Sequence, residues 1–473
     1  MSFKNAVLNT PVESRTTNDM KAFASTTNPN VDYFFAAGAS RGKDITALFE
    51  RAYHDDAETA LRITQWMRDV RGGAGERQLF RQVLKFIEKN YKEVLFNTRL
   101  LLNVAEIGRF DDLLIFDDAE VKYLAYGIIR EALEDKNQLC AKWMPRQGKI
   151  ALELRNFLGY SPKRYRKTLV ELTKVVETQM CAKEWSEINF SHVPSVAMSR
   201  YTKAFGRNAP AEFTAYKDAL ARGDEGVKVN AGAVYPYDVI KTVNKGDAKL
   251  ADLMWEALPN FIGDAGVLPI CDVSGSMRCP AGGYGNKSTV TCMDVSLSLG
   301  LYCSSKNTGP FKDLFLTFAG NPKFHHLNGT LSQRIRQMHA AGNDWGGNTN
   351  LHAAFDEILR VGVSNNVAAE DMPGALLILS DMQFDRCTRF DDSAFEMICR
   401  KYEDAGYKMP GIVWWNLNSA PNNNVPVTFS QKGTALVSGF SPAILKAILS
   451  GNFDEMSPIG VMTKAIASDR YAI

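Results

Sequence analysis

Three apolar runs in the second half of the chain, at 267–271, 375–379 and 411–415, have the length of strands and are too short for buried helices. Between them lie longer stretches in which apolar residues recur at helical spacing. Strands are expected at 267–272, 313–319, 322–327, 375–380, 411–416 and 434–438, and helices near 289–304, 330–341, 350–361, 392–405 and 441–449. Apolar strands that alternate with amphipathic helices predict a mainly parallel, doubly wound sheet covered on both faces. Such sheets take ligands at the carboxyl ends of their strands. Two of those ends carry an aspartate, Asp272 and Asp381.

Asp272 opens the sequence Asp272-Val273-Ser274-Gly275-Ser276, which places a carboxylate and two hydroxyls within five residues. Oxygen donors this close, with Gly275 between them to ease the turn, suit a hard divalent cation such as Mg2+. Thr349, in the loop Gly346-Gly347-Asn348-Thr349-Asn350, and Asp381 are further oxygen donors. Together Asp272, Ser274, Ser276, Thr349 and Asp381 resemble the metal-ion-dependent adhesion site of von Willebrand factor A domains, with all five positions filled in order. The segment 278–288 separates the serines from their helix by more than the usual spacing of that family. It reads either as a flap beside the ion or as a partner-contacting loop.

Before Pro259 the pattern is different. Residues 1–30 are polar and without period, which predicts an extended arm. Further on, Ile63, Trp66, Met67 and Val70 share one helical face, and Leu79, Phe80, Val83, Leu84 and Ile87 share another across the break Arg71-Gly72-Gly73-Ala74-Gly75. This is the pattern of an αα-hairpin. Helices follow near 92–106, 119–134, 147–158, 163–184, 195–206, 210–222 and 247–258, with an ordered loop at 223–247. No exact period is visible, so irregular stacked pairs of the HEAT type are expected over 31–258, followed by the sheet domain over 259–473.

A helical half followed by a von Willebrand A-type domain resembles the Ro autoantigen family, whose helical part is called the TROVE domain. The resemblance is closer to a related, poorly characterised family of plants, fungi, bacteria, phages and large viruses. It is carried by residues 68–77, Gly108-Arg109-Phe110-Asp111-Asp112, Lys142-Trp143-Met144-Pro145-Arg146, Ser380-Asp381-Met382-Gln383-Phe384-Asp385 and Trp414-Trp415-Asn416-Leu417 with Ser438-Gly439-Phe440-Ser441-Pro442. The resemblance implies an α + α/β chain whose helical repeats close into a ring that binds structured or single-stranded RNA, with the A domain joining the ring's ends.

The residues allow a local test of that expectation. Segment 142–207 holds 13 basic and 5 acidic residues, an excess of +8 in a chain whose net charge is +2. Its candidate RNA contacts are Lys142, Arg146, Lys149, Lys163, Arg164, Arg166, Lys167, Arg200, Lys203 and Arg207, with Trp143, Tyr160, Tyr165 and Tyr201 among them for stacking. Arg68, Arg71 and Arg77 offer either a second phosphate contact or pairing with Asp69 and Glu76.

The six histidines form no zinc-protease motif, no phosphate-binding Walker loop occurs, and Ser274-Gly275-Ser276 is not a nucleophile elbow, so a non-enzymatic role is expected. The eight cysteines have no metal-ligand spacing and read as free thiols in a reducing compartment. The first residues lack an apolar signal core, and no run of about 18 apolar residues occurs, so a cytoplasmic protein without a membrane segment is expected. Two functions fit these features: an RNA-binding, Ro-like ribonucleoprotein component, or a metal-dependent adaptor that grips an acidic protein partner. The second includes an accessory subunit of an assembly machine or viral particle.

Overall fold

The structure, a computed structural model, describes residues 10–473 apart from 174, 233, 282–289, 344–347, 387–391 and 420–423. Lys174, Gly346, Gly347 and most of the 278–288 insertion therefore lie outside the described residues, as do residues 1–9 of the expected arm. Between residues 24 and 266 the described regular elements are helical, and each packs largely on its sequence neighbours. Helix boundaries follow local chemistry. Ser161 caps the Pro162–Leu172 helix by accepting from the Arg164 N–H, with Pro162 in the first turn, where its missing N–H costs nothing.

Five expectations need correction. The first is the helix at 92–106, which is two short helices, Lys92–Asn97 and Val104–Ile107, separated by turns. The arm is not extended throughout: β1 (Glu13–Arg15) pairs antiparallel with β2 (Lys21–Phe23), and a buried helix runs over Pro29–Ala37. The expected helix at 163–184 breaks at Thr173, whose backbone leaves the helical region before Val176–Ala182 resumes. The loop at 223–247 contains the Pro236–Asn244 helix. A Pro458–Ile466 helix, capped by Ser457, follows the last expected element. The hairpin and the Pro29–Ala37 helix also pack on residues of the second half of the chain, a partner that local periodicity does not report.

The second half holds a mixed six-stranded sheet: β3 (Val267–Asp272), β4 (Leu314–Phe318), β5 (Lys323–His326), β6 (Ala375–Ser380), β7 (Gly411–Asn416) and β8 (Thr434–Ser438). Their order is β5-β4-β3-β6-β7-β8, parallel except for β5 at one edge. Every residue of β3, β6 and β7 is buried, as expected for strands covered on both faces. The chain passes from β3 to β4 on one side and later returns to β6 on the other. Strand order thus reverses at the β3–β6 crevice, where the two aspartates emerge.

Both ends of the helical succession dock on this sheet domain. Near the start, Pro29–Ala37 packs on β8, and Ala57–Arg68 packs on Pro458–Ile466. Near the end, Pro236–Asn244 and Ala248–Glu256 pack on the helices Cys292–Lys306 and Leu331–Asn343. Contact is closest at Gly38, where an added Cβ would lie 2.5 Å from the Ser438 carbonyl oxygen. The C-terminal tail returns to the helices as well. Tyr471 Oη donates to the buried Asp69 Oδ2 at 3.0 Å, and Arg470 Nε lies 3.1 Å from the same oxygen. Replacing Tyr471 by Phe removes a bond to a buried carboxylate and is expected to cost about 1–2 kcal/mol in thermal unfolding. An unchanged midpoint would show that the tail does not clamp the helices. No helix among the described residues is long and apolar enough to cross a membrane.

Candidate metal centre and basic groove

β3 ends on Asp272, which is fully buried. Its Oδ1 accepts the Ser274 N–H at 2.9 Å, and its Oδ2 accepts the Ser380 hydroxyl at 2.5 Å. Ser274 Oγ and Ser276 Oγ are 3.1 Å apart, and the Ser276 side chain lies close enough to Asp381, itself 3 % exposed, to oppose the rise that burial imposes on its pKa. Four of the five sequence-predicted ligands therefore form one connected cluster. The fifth, Thr349, is buried beside the segment that follows β6. Its N–H donates to Asp385 Oδ2 at 2.7 Å, and its carbonyl accepts the Asp385 N–H at 3.0 Å. The next residue, Asn350, bonds the Ala319 carbonyl just past β4, whose Phe318 carbonyl in turn accepts the Val273 N–H. Thr349 is thus tied by backbone to both strand ends that flank Asp272.

The electrostatics of the pair are unfavourable as they stand. Burial, and then the neighbouring Asp381 charge, push the Asp272 pKa well up, and burial raises that of Asp381 against the nearby Ser276 side chain. Neither carboxylate has a salt-bridge partner among the described residues. Lys43, whose charge reaches Asp381, is bound instead to Asn418 Oδ1 at 2.8 Å and to the Ser419 carbonyl. Two buried carboxylates with adjacent hydroxyls and no counter-cation fit a hard divalent ion, which takes oxygen donors. No group of three His, Cys, Asp or Glu gathers among the described residues, so an ion here would depend on hydroxyls and water for its other ligands.

Several supporting residues carried no assigned role in the sequence. Ser380, Gln383 and Asp385 lie in the segment around Asp381 that bears the family resemblance, so a signal was present. The N-terminal hairpin gave none. Thr16 Oγ1 donates to the Phe384 carbonyl at 2.6 Å, Asn18 Nδ2 donates to the Gln383 carbonyl at 2.7 Å, and the Thr17 N–H donates to Gln383 Oε1 at 2.8 Å. These contacts buttress the strand-end segment from more than 360 residues away. Met382, next to Asp381, adopts φ 63°, a left-handed conformation costly for a side chain of its size and held by the surrounding bonds.

The ten basic candidates divide into groups. Arg146, Lys163 and Arg166 line an open groove of about 640 Å³ between the Lys149–Phe157 and Pro162–Leu172 helices, joined by Arg155 and without any acidic lining residue. Lys149, Arg164 and Lys167 lie on the same two helices, all exposed. Lys149 approaches Glu153 at 3.8 Å, Lys167 approaches Glu171 at 3.5 Å, and Arg164 stacks on Tyr160 at 4.0 Å. Lys142 turns to Glu177 at 3.4 Å. Arg200 and Lys203 instead crowd Lys245, whose pKa is lowered by burial and then by Lys241 and these two cations. Arg207 is exposed further along the Ser195–Asn208 helix.

The aromatic residues are less available than their spacing suggested. Tyr165 is buried, with its hydroxyl on the Pro145 carbonyl at 2.9 Å, and Arg109 covers the Trp143 ring at 3.3 Å. The break at 68–77 is structural where its residues are buried. Arg68 binds Asp112 at 2.8 Å rather than Asp69, and Glu76 pairs with Arg41.

Comparison with known proteins gives the following similarities. Residues 16–114 and 129–268 match the family described as domain of unknown function DUF2828, and residues 266–469 match domain of unknown function DUF7788. The uncharacterized protein L728 of Acanthamoeba polyphaga mimivirus is 27% identical over 513 residues, covering 95% of this chain and 86% of that protein. The crystal structure of the Deinococcus radiodurans RO (RSR) protein overlays with a TM-score of 0.38 and 13% identity, covering 94% of this chain and 100% of that one. That overlay is too loose to carry an argument about fold or function.

Proposed function

The chain belongs to the family described as domain of unknown function DUF2828, and from that premise we propose a non-enzymatic RNA-binding protein of Ro-like plan that also carries a divalent-cation adhesion site. The observation that supports it most is the groove lined by Arg146, Arg155, Lys163 and Arg166 with no carboxylate among its walls. Three cations on two adjacent helices, with Arg146 in the bend before them, favour a polyanion backbone over a single small anion. Because Tyr165 is buried and Trp143 is covered, the groove is suited to phosphates more than to stacked bases, and binding is expected to tolerate sequence changes. Docking of both ends of the helical succession on the sheet domain supports the ring-like arrangement that the resemblance implies.

In this reading the sheet domain is of von Willebrand A type. Asp272, Ser274, Ser276, Thr349 and Asp381 would hold Mg2+ directly or through water. The ion would supply a fixed positive charge for an acidic group of a protein partner. The test is the protein as purified from cells in low-salt buffer. Retained RNA, read as an elevated absorbance ratio and abolished by ribonuclease, is expected. RNA-free protein that still captures an acidic partner only when Mg2+ is present would favour the adaptor reading. The two buried, uncompensated carboxylates keep that reading in contention.

A further inference from the structure

Cys279 and Cys292 stand outside both proposed sites and face each other. The Ala281 N–H donates to the Val290 carbonyl at 2.8 Å, and the Cys292 N–H donates to the Cys279 carbonyl at 3.0 Å. With the Pro280–Thr291 antiparallel bridge between them, this register sets the two cysteines directly opposite one another. Opposed residues at a hydrogen-bonded antiparallel position have Cα atoms about 5.5 Å apart, inside the range that a disulfide spans. Their sulfurs are already 3.4 Å apart, and both thiols are free. Cys279 is partly exposed whereas Cys292 is buried. Asn418 Nδ2 donates to the Cys279 sulfur at 3.4 Å, and the same side chain holds the Lys43 ammonium through Oδ1. Neither Cys271 nor Cys303 has such an arrangement. Both are fully buried, and Cys271 donates only to the Ser296 carbonyl.

We propose that Cys279 and Cys292 form a reversible dithiol–disulfide pair, a redox modification site that reacts with low-molecular-weight disulfides of the glutathione type. Cys279, the accessible thiol, gives up its proton and attacks one sulfur of the small disulfide. That S–S bond breaks, a mixed disulfide forms on Cys279, and the departing thiolate takes a proton. Cys292 then loses its proton and attacks the Cys279 sulfur, expelling the second small thiol. Two protein thiols are oxidised by two electrons, and one small disulfide is reduced to two thiols, with no net change in protons. The order follows from exposure, since the buried sulfur is reached only from within the protein.

The experiment incubates the full chain in glutathione buffers of rising oxidised fraction, quenches with acid, alkylates after unfolding and maps the peptides by mass spectrometry. Loss of Cys279 and Cys292 from the alkylatable thiols is expected, with a peptide pair joining them, restoration by dithiothreitol, Cys140, Cys271 and Cys303 still alkylated, and the exposed Cys181 carrying at most glutathione. Cys292→Ser is expected to trap glutathione on Cys279, and Cys279→Ser to leave Cys292 unmodified. Cys279 and Cys292 both remaining alkylatable in the most oxidising buffer would overturn the proposal, as would Cys279 linked to any other cysteine. The wild-type map decides the matter even if a variant folds poorly.

Discussion

Replacing Arg146, Arg155, Lys163 and Arg166 together by Ala is expected to weaken RNA binding on the order of 10²- to 10³-fold near 0.1 M salt. The groove has no acidic lining, so each of these cations is free to release a counterion from a phosphate. For a single-stranded ligand the slope of log K against log salt is about 0.7 per phosphate contact, and losing four contacts should flatten it by about three units. The loss should be nearly the same for unrelated sequences, because phosphates carry no sequence information. Changing Arg164 and Lys167, which are engaged with Tyr160 and Glu171, should matter less than changing Lys163 and Arg166. Arg200→Ala with Lys203→Ala probes the separate cluster near Lys245. Filter binding across a salt series reads all of these. If the four-site variant keeps the parent's affinity and slope, RNA does not use this groove.

Asp272→Asn is expected to have two opposite effects: it should stabilise the cation-free protein and abolish any stabilisation by Mg2+. The native carboxyl has a raised pKa, so between its unfolded value near 4 and that raised value the folded state binds the extra proton. Stability from this group is therefore lost as pH rises through that window. Above it the full penalty applies, on the order of 4 kcal/mol. Asn removes the penalty while keeping an oxygen for the Ser274 N–H and an amide that can donate to Ser380 Oγ. The variant's advantage over the parent in the absence of cation should be largest just above neutral pH and shrink toward pH 4. Added Mg2+ should raise the parent's melting temperature and leave that of the variant unchanged. The variant's RNA salt slope should match the parent's, because the proposed cation site lies apart from the basic groove. Destabilisation of the cation-free protein by this change would refute the picture of two uncompensated carboxylates.

What the sequence determined by itself was whatever local chemistry encodes. The apolar runs at 267–272, 375–380 and 411–416 became strands with those same limits, because strands buried on both faces need continuous apolar residues. The helix at 119–134 also has its expected limits, with Asp118 capping its first turn. Asp272, Ser274 and Ser276 were legible because a three-donor cluster fits within one turn of chain.

Tertiary structure alone decided the rest. Thr349 is held beside the strand ends by its backbone pairing with Asp385 and by the neighbouring Asn350–Ala319 bond, and Ser380 becomes a partner of Asp272 only because β6 lies beside β3. The polar arm at 13–23 has no apolar period to mark it as structured, yet it becomes a hairpin because Gln383 and Phe384 offer it backbone and amide partners. Likewise, the basic residues at 142–207 were visible as a charge excess, but which of them share a groove depends on how two helices pack. Linear order says which residues can form a strand, a cap or a turn. Which distant groups meet is set by the burial of whole faces, and no short window of sequence contains that information.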